Sequence, residues 1–138
     1  MKNILIHGLG QNHKSWNETI KFLEIDNIDV LCPALFKMSS GNSNDYQNIF
    51  SSFSDFCNNQ EGKLNLCGLS LGGILALDYV KKYPEKVNSM SNHNIKNGLD
   101  KINCKSLILC GSKDKANMKS AKQISQSIRK SEFKIVKD

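Results

Sequence analysis

The sequence predicts an α/β fold: a mostly parallel sheet of about five strands flanked by helices. Two observations carry that expectation. Short apolar runs of strand length (Ile4 to Ile6, Ile28 to Cys32, Leu64 to Cys67, Ser106 to Cys110 and Phe133 to Val136) alternate with longer stretches of helical periodicity. Turn residues stand where those runs end, at Gly8, Pro33, Gly68 and Gly111. With 138 residues the chain reads as one domain over 1–138, large enough for a single core. A composition 39% hydrophobic and 23% charged is that of a folded domain rather than a disordered one.

Each element has a local reason. The first strand is followed by Ser15-Trp16-Asn17-Glu18, a capping box with serine and glutamate three apart, and Trp16, Ile20 and Leu23 give the first helix an apolar stripe. Ser39 to Asn44 is a polar loop. Asp45 then starts a helix in which Tyr46, Ile49, Phe50, Phe53, Phe56 and Cys57 recur at helical spacing, a core stripe that Gly62 closes off from the next strand. Gly73 to Tyr83 is apolar nearly all round, as a buried helix should be; Lys81 and Lys82 suit its last turn and Pro84 stops it. Asn88 to Lys105 is polar and Asn-rich, with no apolar run of strand length. Ala121, Ile124 and Ile128 mark the inward face of the last helix, and Lys115, Lys119, Lys122 and Lys130 its wet face.

Gly68-Leu69-Ser70-Leu71-Gly72 lies between a predicted strand and a predicted helix. A G-x-S-x-G in that setting is a nucleophile elbow. A serine hydroxyl is a poor nucleophile, so it must stand clear of the sheet where a base can reach its proton. At so sharp a turn the backbones crowd the positions two before and two after the serine, which is why both are glycine.

His7-Gly8-Leu9-Gly10 after the first strand, the downstream Trp16, Leu66-Cys67-Gly68-Leu69-Ser70-Leu71-Gly72-Gly73 with its apolar helix ending Tyr83-Pro84-Glu85-Lys86-Val87, and a later strand ending Gly111-Ser112-Lys113-Asp114 together resemble the α/β-hydrolase family. The resemblance spans most of the chain. It implies Ser70 as nucleophile, Asp114 as the acid that orients a histidine, and an oxyanion hole made by the backbone N–H groups of Leu9 and Leu71. A single such donor is worth about 3 kcal/mol to a tetrahedral intermediate. His7 in that pattern supports the loop. The substrate implied is a small acyl compound, a carboxylic ester or its relative, with no metal and no cofactor.

The chain also departs from that pattern. The family's order is Ser, then Asp or Glu, then His, and no histidine follows Asp114. Residues 88–105 read as a shortened segment in place of a strand plus cap, so the expectation is a truncated α/β-hydrolase core. His93 is the one histidine between the elbow and Asp114 and so the natural substitute for the base, but in a polar loop it reads, like His13, as a solvated residue. Without a positioned base only the effect of binding and the oxyanion hole remains. The sequence therefore leaves two readings open: a serine hydrolase impaired by loss of the catalytic histidine, or a non-catalytic relic that binds a ligand or a partner chain. Self-association through an exposed sheet edge is expected if a strand is missing.

A net charge of +6 could suggest anionic partners, but no aromatic-interleaved basic patch or nucleic-acid motif accompanies the lysines, so a Lys-rich solvated surface and no nucleic-acid partner are expected. A dinucleotide fingerprint fails because its third glycine would fall at His13. Five cysteines without C-x-x-C spacing argue against a disulfide framework and a zinc site. The sequence begins on a predicted strand with no apolar leader and no membrane-length span, which reads as a cytoplasmic protein.

Overall fold

A computed structural model describes residues 1–39, 45–91 and 98–137. Among these residues six parallel strands form one sheet in the order β2-β1-β3-β4-β5-β6, with β1 Lys2–Ile6, β2 Val30–Leu31, β3 Leu64–Gly68, β4 Val87–Ser91, β5 Lys105–Gly111 and β6 Ser131–Val136. The helices are α1 Asn17–Ile25, α2 Leu35–Met38, α3 Tyr46–Asn58, α4 Leu71–Lys82 and α5 Lys115–Ser127. The expected α/β class with its parallel sheet is what the chain adopts.

One face of the sheet makes the core. Ile4 and Ile6 of β1, Leu64 and Leu66 of β3, and Ile108 and Cys110 of β5 share one phase of the pleat. They join Ile49, Phe53 and Cys57 of α3, Leu75 and Leu77 of α4, and Ala121 and Ile124 of α5 in one buried cluster. The Phe53 and Tyr79 rings meet edge to face at 5.8 Å, and the Tyr79 hydroxyl donates to Asn58 Oδ1 at 2.8 Å, so the polar tip of a buried ring is satisfied. The opposite face is covered more thinly: α1 has no buried residue, and Phe22 and Ile25 are exposed.

The expectation of a segment without a strand over 88–105 is corrected at both ends. Val87–Ser91 is β4, paired to β3 on one side and β5 on the other, and it raises the count from about five strands to six. Its pairing slips by one residue: Val87 lies opposite Leu64, but Ser89 lies opposite Asn65. This bulge absorbs Asn88, so positions 87 and 90 take the same phase although three apart, and a period of two does not reveal them. Asn88 is put to use, since its Nδ2 donates to Asn65 Oδ1 at 2.9 Å and Asn65 Nδ2 donates to Asn3 Oδ1 at 2.8 Å, an amide ladder across three strands. Farther on, Leu99 opens a short 3-10 turn and Ile102 follows it, and both are buried in the core. Residues 92–97, including His93, lie outside the described residues.

The first helix also starts differently. A 3-10 turn, His13–Trp16, precedes α1, and its capping box is Asn12 with Ser15 rather than Ser15 with Glu18: Asn12 Oδ1 accepts from Lys14 N at 2.9 Å while Ser15 Oγ accepts from Asn12 N at 3.4 Å. The start of α3 is as expected, Asp45 Oδ1 accepting from Asn48 N at 2.9 Å.

Phe53 is fully buried where α3, α4 and the sheet meet. Phe53→Ala is therefore expected to lower the free energy of unfolding by about 3–5 kcal/mol, measured by urea denaturation; a loss below about 1 kcal/mol would mean that α3 does not pack as described.

Candidate active site

The elbow is a place where three backbones touch. β3 ends at Gly68 and α4 begins at Leu71, leaving Leu69 and Ser70 to reverse the chain. A Cβ on Gly68 would overlap the carbonyl of Gly72 and the nitrogen of Gly73, so that glycine permits the helix to turn back onto its own strand. A Cβ on Gly72 would overlap the carbonyls of Ile6 and His7, so the second glycine permits α4 to sit against β1. The two glycines thus serve different contacts. Leu69 N donates to Ile6 O at 3.0 Å and fastens the turn to the neighbouring strand.

Ser70 takes the strain of this closeness. Its φ of 53° and ψ of −115° place a non-glycine residue at positive φ, a conformation that costs on the order of 1–3 kcal/mol and persists only where surrounding structure holds it. Ser70 O accepts from Gly73 N and Ile74 N at 2.9 and 3.1 Å, which secures the first turn of α4 behind it. The side chain is exposed, caps nothing, and makes no hydrogen bond among the described residues.

The loop after β1 lies directly against this turn. A Cβ on Gly8 would stand 3.4 Å from Ser70 Cβ and 3.1 Å from the Leu69 carbonyl. Gln11 holds the loop in shape: its Oε1 accepts from Gly8 N at 2.9 Å, and its own N donates to Gly8 O at 3.3 Å, with Gly10 at a φ of 74°. Gly8 N–H is thereby spent. Neither Leu9 N–H nor Leu71 N–H finds an acceptor among the described residues, and Leu71, at the first position of α4, points its amide out of the positive end of the helix. Leu9 and Leu69 are 75% and 41% exposed and give the surroundings of Ser70 an apolar rim.

Asp114 lies three residues beyond the end of β5, at the same edge of the sheet as Ser70. Cys67 pairs with Ser91 and Ser91 with Leu107, so β5 runs three residues past the level at which β3 stops. One strand, β4, separates the two, which puts β3 and β5 about 10 Å apart. A serine and a carboxylate joined through an imidazole need roughly 8 Å, two hydrogen bonds and a ring. The carboxylate is meanwhile occupied with α5: its Oδ1 accepts from Asn117 N at 3.1 Å, and Asn117 Nδ2 reaches Oδ1 and Oδ2 at 3.1 and 2.9 Å.

Among the described residues no imidazole bonds to Ser70 or Asp114. His7, the loop residue of the sequence reading, is 1% exposed, with its ring against Phe36 at 5.4 Å, Nδ1 3.0 Å from Gly8 O, and Nε2 without a partner. His13 sits in the 3-10 turn. Burial pushes the thiols of Cys57 and Cys110 up, away from the thiolate form. A cavity of about 840 Å³ is elsewhere, lined by Asn3 and Leu5 of β1, Asn65 and Cys67 of β3 and Leu107 of β5, with Thr19 and Leu23 of α1. Gln11 is the site residue that sequence reasoning missed; a long amide three positions after Gly8, able to return to that glycine's N–H, was the available signal.

No protein-family model matches the sequence, and neither does any curated protein. Solved structures do resemble the chain. An α/β-hydrolase enzyme from the metagenome of sediments of the Mar Chica lagoon, Morocco, superposes with a TM-score of 0.87 at 17% identity, over 100% of this chain and 80% of that one. A carboxylesterase of the thaumarchaeon Nitrososphaera gargenis gives 0.84 at 15% identity over 99% and 81%. A thermophilic esterase from Thermogutta terrifontis gives 0.78 at 15% identity over 100% and 81%. At such identities the likeness establishes the fold, and the chain has the α/β-hydrolase fold.

The strain at Ser70 has a measurable consequence. Relief of about 1–3 kcal/mol exceeds the extra chain entropy of a glycine, about 0.5–1 kcal/mol. Ser70→Gly is therefore expected to raise the free energy of unfolding by about 1 kcal/mol, whereas Gly72→Ala, which drives a methyl into two carbonyls of β1, lowers it by about 3 kcal/mol or more. Urea denaturation of both variants checks this, and a destabilised Ser70→Gly would contradict the strain.

Proposed function

We propose that the chain is the core of a serine hydrolase acting on carboxylic esters or related acyl compounds. Ser70 is the nucleophile, and the N–H groups of Leu9 and Leu71 receive the negative charge that develops on the substrate carbonyl oxygen. Asp114 is the acid that would orient an imidazole. The observation that carries the reading is the strained, exposed and unpartnered Ser70 at the head of a helix. The esterase and hydrolase neighbours support the reaction class, and the apolar rim of Leu9 and Leu69 suits the hydrocarbon part of an acyl group.

The chemistry is acyl transfer. Ser70 Oγ bonds to the carbonyl carbon, the hydroxyl proton passes to a base, the alcohol leaves, and water then releases the acid from the acyl-serine. The base is the weak part of the arrangement. Where no imidazole reaches Ser70, the proton goes to solvent or buffer, and what remains is the residual catalysis of orientation and oxyanion binding, about 10³–10⁴-fold over water in triads that have lost a member.

A second reading is a chain that folds and holds an acyl ligand or a partner without turnover. The engagement of the Asp114 carboxylate with the first turn of α5 favours it, because a carboxylate in that position caps a helix whether or not it takes part in chemistry.

Labelling with a fluorophosphonate separates the two. Under the hydrolase reading the wild type is labelled and Ser70→Ala is not, and millimolar imidazole raises the wild-type rate by about tenfold or more without touching the variant. Equal labelling of both proteins would remove Ser70 from the mechanism; no labelling of either, with or without imidazole, would favour the binding protein.

A further inference from the structure

The formal charge of +6 is not spread along the chain. From Lys105 onward there are nine Lys and Arg against three Asp and Glu, while residues 1–104 hold ten of each. The whole excess belongs to the β5-α5-β6 unit, which forms one margin of the sheet. Such asymmetry between parts of a chain points to an anionic partner for the charged part.

The margin has main-chain groups to offer. Among the described residues β6 pairs with β5 alone. The carbonyls of Lys130 and Val136 accept from Ser106 N and Ser112 N at 2.9 and 2.8 Å, so the even-numbered residues turn their main chain toward β5. By the alternation of a strand, Ser131, Phe133 and Ile135 turn theirs outward. Ile135 and Val136 are 50% and 48% exposed.

A helix stands beside that edge. Ser125 Oγ of α5 lies 3.0 Å from Ser131 Oγ, which fixes the side of α5 nearest β6. Three, seven and ten residues earlier on the same stripe come Lys122, Met118 and Lys115. With Ser112 and Lys119 they line a shallow hollow of about 470 Å³. The three lysines are exposed, and among the described residues none pairs with a carboxylate. Lysines guard sheet edges against unwanted pairing when they are on the strand itself. These stand on the neighbouring helix, where they would flank an added strand.

We propose that this margin docks an extended acidic segment of another protein as a seventh strand. Its main chain bonds to Ser131, Phe133 and Ile135, and its Asp and Glu side chains lie along Lys115, Lys119 and Lys122. A second copy of this chain would bring the same cationic stripe against its like, so charge selects the acidic partner over self-pairing. The inference is independent of the chemistry at Ser70.

The test is fluorescence anisotropy with a fluorescein-labelled heptapeptide of alternating Glu and Thr, and its Lys and Thr counterpart. The acidic peptide is expected to bind, the basic one not, and raised salt to weaken binding by about tenfold. Ile135→Pro removes only an outward N–H, which an edge strand tolerates, and is expected to weaken binding at least about tenfold with the circular dichroism unchanged. The triple variant K115E/K119E/K122E leaves the edge intact and is expected to reverse the preference between the peptides. Equal binding of both peptides, full affinity in a folded Ile135→Pro, or binding of phosphatidylserine vesicles or an oligonucleotide in place of the acidic peptide would overturn the proposal. So would wild-type dimers in sedimentation that Ile135→Pro dissolves.

Discussion

The close approach of α4 to two strands at once is the constraint on which the rest of this molecule depends. Gly68 lets the helix fold back on β3, and Gly72 lets the same helix rest on β1. Between them Ser70 has no relaxed conformation available, because Leu69 N is bonded to Ile6 O on one side and Ser70 O holds the start of α4 on the other. The strain is small beside the burial that surrounds it: α4 contributes Leu75, Ala76, Leu77 and Tyr79 to the core, each fully buried. A helix so firmly packed can hold one residue at positive φ.

From that contact follows the layout of the proposed site. Fixing α4 against β1 brings the loop after β1 onto the elbow, and Gln11 fastens that loop by occupying Gly8 N–H. The next amide along, Leu9, and the first amide of α4, Leu71, are left without acceptors among the described residues. These two donors are the ones the proposed oxyanion site would use, and the parallel sheet brings them and the exposed hydroxyl to the carboxyl edge, where open α/β sheets carry their ligands. Asp114 reaches the same edge from β5, but its carboxylate serves the first turn of α5. The proposed nucleophile and the proposed acid are thus unequal parts, one strained and exposed, the other engaged with a helix.

Much of this was legible in the sequence because it rests on local rules. The elbow pentapeptide, the aromatic stripe of α3, the Asp45 cap and the Ala121 and Ile124 face of α5 follow from spacing alone, and the structure has each of them. What escaped was non-local. β4 has few apolar residues and a bulge at Asn88 that breaks its alternation, so only pairing with strands on both sides identifies it. Asn12 displaced Ser15 as the first cap because a 3-10 turn, which helical periodicity does not foresee, intervenes before α1. The role of Gln11 depends on a loop shape set by Gly10 at positive φ, and the separate duties of Gly68 and Gly72 depend on which strand each one meets.

The central claim is that the turn at Ser70 presents its hydroxyl to two waiting amides. The most direct measurement is a crystal structure of the protein phosphonylated on Ser70. The phosphoryl oxygen is expected within about 2.7–3.1 Å of both Leu9 N and Leu71 N, with Ser70 still at positive φ. A phosphoryl oxygen turned to solvent, or bonded to neither amide, would contradict the account.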